Sequence, residues 1–256
     1  MIYPSKIVRH LIIPDTQQKP GVGTNHLRWI GQYIVDQRPS VIIHLGDHYD
    51  LPSLSTYDKG TVRAEGKRLD KDIEAGKASM GILQGPLKAV RKAYKPRKVF
   101  LLGNHEHRLK RHVDANPELI GTVSYKSFGL EALGWEVHDF LKPVVIDGIT
   151  YVHYVADPMT GRPYSGKANN VLVKAGKSFV MGHRQGLDVA TRTILGGQMQ
   201  IGIIAGSCYT HKEHYKGYQG NNHWRGIVVL NNVKGGYGDV MPVSLGYLKR
   251  KYGTKT

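Results

Sequence analysis

Cysteine is almost missing from this chain: Cys208 stands alone among 256 residues. One thiol can form neither an intramolecular disulfide nor a thiolate zinc cluster. Any metal must therefore use His, Asp, Asn or Gln, and a reducing compartment is expected. Long apolar runs are missing too. No stretch approaches the roughly 18 residues a membrane helix needs. The opening MIYPSKIVRH lacks the basic, apolar and small-residue succession of a secretory signal. A soluble cytoplasmic protein with no membrane partner is the expectation. Acidic residues are scarce, with 20 Asp and Glu against 36 Lys and Arg and a formal charge of +16. Such an excess favours a polyanionic partner such as nucleic acid, although a solvated surface is the plainer account. No repeat, low-complexity tract or linker divides residues 1–256, so one domain with one substantial core is expected.

Short runs rich in Val, Ile and Leu at 6–13, 41–45, 98–102 and 178–181 have the pattern of strands buried on both faces. Between the first two, Leu27, Ile30 and Ile34 recur at helical spacing after Thr24, predicting a helix to Gln37 and hence a β-α-β unit with parallel strands. Lys59 to Lys95 predicts one or two helices interrupted near Gly85 and Pro86, and Leu109 to Gly134 predicts helix broken at Asn116 and Pro117. The period then changes to two. Residues 143–154 around Asp147-Gly148 and 189–205 around Gly196-Gly197 predict hairpins, and Ile227 to Val233 and Val240 to Leu245 predict further strands.

Each early strand is followed at once by residues able to do chemistry: Asp15 to Gln17, then Asp47, His48 and Asp50, then Asn104, His105 and Glu106. His153 follows at a hairpin end, and His183, Arg184 and Gln185 follow an apolar run. Strand ends in open α/β sheets meet in a crevice. Carboxylates, imidazoles and carboxamides converging there suit one or two divalent cations. Singly, each has an ordinary structural explanation as a turn former, helix cap or hydrogen-bonded core histidine. Their joint occurrence is what points to a site.

The series PDTQ, GDHYD, GNHE, a strand-borne His153 and GHRQ resembles the calcineurin-like metallophosphoesterase superfamily over Asp15 to Gln185, about two thirds of the chain. Gly206-Ser207-Cys208 is similar to a loop that often follows in that family. The resemblance implies a four-layer α/β/β/α sandwich of two mixed sheets flanked by helices. It also implies that Asp47 bridges two metals, that Asp15 binds the first, and that Asn104, His153 and His183 bind the second. His105 would stand beside the phosphate. A bridging water deprotonated between cations about 3.5–4 Å apart would then attack phosphorus, with His105 protonating the leaving alkoxide.

The chain departs from the family pattern where Gln17 and Gln185 replace histidines of the first metal site. That site would consist of Asp15, Asp47 and two carboxamide oxygens, a set suited to Mn²⁺ or Mg²⁺, with Ni²⁺ or Fe²⁺ as other candidates. It is either retuned and more weakly held or decayed. His48, Arg108 and Arg184 are candidate substrate contacts, and 209–225 interleaves Tyr209, Tyr215, Tyr218 and Trp224 with basic residues in a way that suits stacking on bases. The expected activity is hydrolysis of phosphodiester bonds in nucleic acid or nucleotides. A phosphomonoesterase or protein phosphatase is the enzymatic alternative, and a nucleic-acid-binding protein with a degenerate metal site is the alternative of another class.

Overall fold

The computed structural model describes residues 7–213 and 216–253, without the side chain of Tyr218. Two mixed sheets carry the fold. The first has the order β11-β10-β1-β2-β3-β4, with β1 (His10–Ile13), β2 (Val41–His44), β3 (Arg97–Leu101) and β4 (Glu136–His138) mutually parallel. Antiparallel β10 (Gly226–Lys234) and β11 (Tyr237–Ser244) extend its other edge. The second sheet has the order β5-β6-β7-β9-β8, built from β5 (Val144–Ile146), β6 (Ile149–Val152), β7 (Phe179–Met181), β8 (Leu187–Thr193) and β9 (Met199–Ala205).

Alternation along the strands explains the layers. Leu11, Ile13, Ile42 and Phe100 join a core with Leu27, Ile30 and Ile34 of α1 (Asn25–Gln37) and Met80, Leu83 and Leu87 of α2 (Leu69–Ala89). Their neighbours Ile12, Ile43, Val99 and Leu101 face Ile149, Tyr151, Val180 and Ile203 of the second sheet. The outer face of that sheet packs Val152, Phe179 and Ile204 against Val171 and Leu172 of α4 (Ala168–Ala175). A strand with both faces covered has no polar side, which is why these runs read as continuously apolar. The remaining helices are α3 (His107–Ala115), the single turn α5 (Gly217–Gly220) and α6 (Leu245–Tyr252), whose Leu248 joins the α1 core. Among the described residues no helix is long and apolar enough to cross a membrane.

Three expectations need correction. α2 runs unbroken through Gly85 and Pro86. Its Leu83 and Leu87 are buried on either side of the proline, and the ring packs where a Cβ on Gly31 of α1 would lie 3.0 Å from Pro86 Cγ. That burial outweighs the missing backbone donor, which costs about 3 kcal/mol in a free helix. The segment before it, 59–68, holds turns and one 3-10 turn instead of α-helix. After α3 ends before Asn116, the chain makes 3-10 turns at Pro117–Leu119, Tyr125–Phe128 and Glu131–Leu133 where α-helix was expected. Gly129 and Gly134 take left-handed φ and stop the second and third of these turns from propagating. Both hairpins form, with Asp147 and Gly148 at φ 50 and 82 and Gly196 and Gly197 at φ 98 and 84. Lys6, the first residue of the earliest predicted strand, lies outside the described residues, and β1 begins at His10.

Candidate metal centre and cleft

Parallel β1, β2 and β3 in one sheet and parallel β6, β7 and β9 in the other deliver their following loops to one edge. The loops then zip together. Thr16 and Gln17 N–H both donate to Asp47 O, and Gln18 N–H donates to His48 O. Gln17, Asp47 and His183 adopt left-handed φ of 42, 49 and 61 without being glycine. Each costs on the order of 1–3 kcal/mol and persists only where surroundings over-determine it.

Two motif glycines are required by the carboxylates beside them. A Cβ on Gly103 would lie 2.1 Å from Asp47 Oδ1, and one on Gly182 would lie 2.6 Å from Asp15 Oδ1. Bare backbone at these points lets His105 N–H donate to Asp47 Oδ1 at 2.9 Å and His183 N–H donate to Asp15 Oδ1 at 2.9 Å. Underneath, buried Glu106 accepts from the N–H groups of Asp47, His48, Tyr49 and Gly103 at 2.7–2.9 Å. It locks the second and third loops to each other. Burial and the charge of Asp47 push its carboxyl up to about 7, against the pull of those backbone donors.

Asp47, His153 and His183 offer ligand atoms that all lie within 4.8 Å of one another, a group able to hold a metal ion. The protonation of His153 sharpens this. Its Nδ1 lies 2.7 Å from Leu45 O, which only accepts, so Nδ1 carries the proton. Burial holds the imidazole below its usual pKa and hence neutral at pH 7, although Asp47 pulls the other way. Nε2 therefore presents a lone pair, 2.9 Å from Asn104 Oδ1 and 3.5 Å from Asp47 Oδ2. Three acceptors converge, and Asn104 Oδ1 also lies 2.8 Å from His183 Nδ1. Burial lowers His183 to about 4, so it too is neutral. A shared cation is what such a cluster fits.

The Asp15 side is built differently. Burial and the charge of Asp47 push the Asp15 carboxyl well above the usual range. Asp47 itself is held low, because His153 and His105 outweigh its burial. Asp15 Oδ2 and Gln17 Oε1 are buried without any hydrogen-bond partner. Orphaned oxygens beside a carboxylate short of positive charge fit a hard cation. Gln185 also reaches the cleft, but its Oε1 accepts from the Tyr209 hydroxyl.

His105 and Arg108 complete the floor. His105 Nδ1 contacts Asp50 Oδ1 at 2.5 Å, and its Nε2 lies 3.8 Å from Asp47 Oδ2. Burial lowers His105, but Asp47 and Asp50 prevail and raise it to about 9. Asp50 is in turn held low, against its burial, by His105 and Lys19. Lys19 links Asp50 to Glu213 at 2.8 and 2.7 Å, and Arg108 Nη1 donates to Asp50 O. The cleft has a volume of about 1050 Å³, and Arg63, Lys67, Arg68 and Lys71 line it together with Asp58, Glu65 and Asp72, Asp58 pairing with Arg63 and Lys67.

Two predicted substrate contacts are corrected. His48 is fully buried, with Nδ1 2.7 Å from Thr16 Oγ1 and Nε2 3.0 Å from Ser79 Oγ, so it braces the floor and cannot meet substrate. Arg184 turns out of the cleft, because its guanidinium donates to Gly166 O. Tyr209 is buried under Arg225, 4.5 Å from ring centroid to Cζ, and offers no stacking face; Tyr215 and the side chain of Tyr218 lie outside the described residues. Sequence reasoning missed Glu106, Asp50 and Lys19 as working parts. GNHE and GDHYD contain the first two, but the pattern does not say that Glu106 points inward at backbone.

No family model matches the chain. It is similar to the Gene 54 protein of Mycobacterium phage L5, 25% identical over 208 residues that cover 77% of this chain and 79% of that protein.

Proposed function

We propose that this chain is a metal-dependent phosphoesterase of the calcineurin-like type that cleaves phosphodiester bonds of nucleic acid or nucleotides. The observation that carries this reading is the facing of His153 Nε2, Asn104 Oδ1 and Asp47 Oδ2, three acceptors with no proton between them. Two sheets packed face to face, with site loops at one edge, agree with that family's sandwich. Asp47, Asn104, His153 and His183 would hold one cation, and Asp15, Gln17 and Asp47 a second, with Gln185 adjoining. Mn²⁺ and Mg²⁺ suit the oxygen-rich Asp15 position. Divalent cations bound there would supply charge neutralisation for the phosphoryl oxygens and an acidified water.

The chain's own groups do the rest. His105 Nε2 faces Asp47 while Asp50 holds Nδ1, so His105 is placed to donate a proton to the departing alkoxide. Arg108 lies 3.3 Å from His105 Nε2 and can pair with a phosphoryl oxygen. A cleft of about 1050 Å³ accommodates more than a small monoester. The test is incubation of the full chain with bis(p-nitrophenyl) phosphate, p-nitrophenyl phosphate and end-labelled DNA and RNA under Mn²⁺, Mg²⁺ or Ni²⁺. Diester or nucleic-acid cleavage that EDTA abolishes supports the proposal. No turnover with any of these metals overturns it.

A further inference from the structure

A second cavity, of about 600 Å³, opens between the end of α2, residues 91–98 and the turn at 132–134. Lys88, Arg91, Lys92, Lys95 and Lys98 line it, and among the described residues no Asp or Glu does. Lys98 is the second residue of β3, while Asn104 follows that strand's other end. At about 3.3 Å per residue the two lie roughly 20 Å apart. This cavity therefore stands independently of the phosphoesterase reading.

Two of its groups lack what they need. Lys98 Nζ contacts the neutral acceptors Gln84 Oε1 at 3.3 Å and Leu133 O, sits over the Trp135 ring 5.8 Å from its centroid, and has no carboxylate partner among the described residues. Burial alone pushes its pKa down. Gln84 is 3% exposed, lines the same cavity, and its amide nitrogen has no acceptor. A half-buried ammonium without a counter-charge, beside four exposed cations, calls for an anionic ligand. The volume exceeds that of a lone phosphate, and Leu87, Tyr94 and Pro96 give the cavity an apolar side.

We propose that this cavity binds a phosphate-bearing nucleotide unit, with the phosphoryl group at Lys98 and the nucleoside against Leu87, Tyr94 and Pro96. The unit comes either as a free nucleotide or as part of a polynucleotide strand; the phosphate chemistry is the same. The exposed Lys88, Arg91, Lys92 and Lys95 then act as a screened, salt-sensitive collar.

Calorimetric titration of the full chain in EDTA with ADP, inorganic pyrophosphate and a dT12 oligonucleotide separates the outcomes. Saturable ADP binding is expected. Lys98→Gln should weaken it about tenfold or more, and the exposed pair Lys88→Gln/Arg91→Gln about two- to fivefold. Asp47→Asn should leave it unchanged. Circular dichroism checks that Lys98→Gln folds, and the exposed pair keeps the test decisive if it does not. Binding of dT12 without ADP, weakened by the same variants, supports the site with a strand as its occupant. Affinity for all three probes that ignores these variants, falls only with Asp47→Asn, or does not exist overturns the proposal.

Discussion

On the His153 side of the cleft, Asn104 Oδ1 already lies within hydrogen-bonding distance of both His153 and His183 with Asp47 beside them, whereas on the Asp15 side two buried oxygens meet nothing. The first half is pre-arranged by atoms outside it: Leu45 O fixes the His153 tautomer and Glu106 fixes the loop that carries Asp47. The second half has no imidazole, and Tyr209 holds one of its two glutamine oxygens. Imidazole with a carboxylate suits borderline metals, and bare oxygens suit hard ones, so the halves should differ both in which cation they take and in how tightly.

Asp47 is the one side chain common to both halves, so its removal should have the largest effect. Asp47→Asn is expected to lower Mn²⁺-dependent turnover of bis(p-nitrophenyl) phosphate by about a thousandfold or more. Metal content by mass spectrometry should fall for both positions together. Loss of only one equivalent would show that the halves do not share this ligand.

Glu106→Gln comes next. The amide keeps one acceptor oxygen but turns an N–H₂ toward backbone donors, so two of the four loop contacts become clashes of donor with donor. Stability should drop by about 2–4 kcal/mol in urea unfolding. An unchanged midpoint would show that the loops are held by strand ends alone.

How much of this was legible in the residues follows from range. Runs such as 41–45 announced buried parallel strands because both faces are covered, and Asp147-Gly148 announced its hairpin because the turn geometry is local. Asp47, Asn104, His153 and His183 were legible only as a series, and they converge here. What failed depended on distant partners. Pro86 looks like a helix breaker until Gly31 is placed against it, His48 looks available until Thr16 and Ser79 close over it, and Arg184 looks like a phosphate ligand until Gly166 claims it. β4 is three residues long, too short to show any period.

The shared floor gives a pH test. His105 has a folded pKa raised to about 9 above an ordinary 6.5, so its contribution to stability is complete below about 6.5 and is lost as pH rises through 9. Asp50 has the opposite sign, contributing above its ordinary value near 4 and losing that contribution as pH falls below it. Thermal unfolding should thus lose a few kcal/mol of stability between pH 6.5 and 9 in the parent chain and not in His105→Gln. A profile identical in both proteins would remove His105 from that role.

Changes confined to the oxygen half should be smaller. Gln17→Leu removes an unpartnered oxygen at little folding cost and is expected to weaken the second equivalent of Mn²⁺ by about 10- to 100-fold while the first stays bound. Gln17→His should instead move that position toward Zn²⁺ or Ni²⁺. If both variants bind metal like the parent chain, the oxygen half holds none.

Tyr209→Phe is the mildest probe because it alters no candidate ligand. The ring stays buried against Arg225, and only the hydroxyl that donates to Gln185 Oε1 is lost. Freed of that donor, the amide oxygen can turn to a cation, so the second Mn²⁺ equivalent should bind tighter by less than about tenfold, the size of one hydrogen bond. Calorimetry under Mn²⁺ reads this directly. Weaker binding would mean that Tyr209 positions Gln185 as a ligand, with the hydroxyl on one lone pair and the metal on the other, and would make the two halves more alike than their bare contacts suggest.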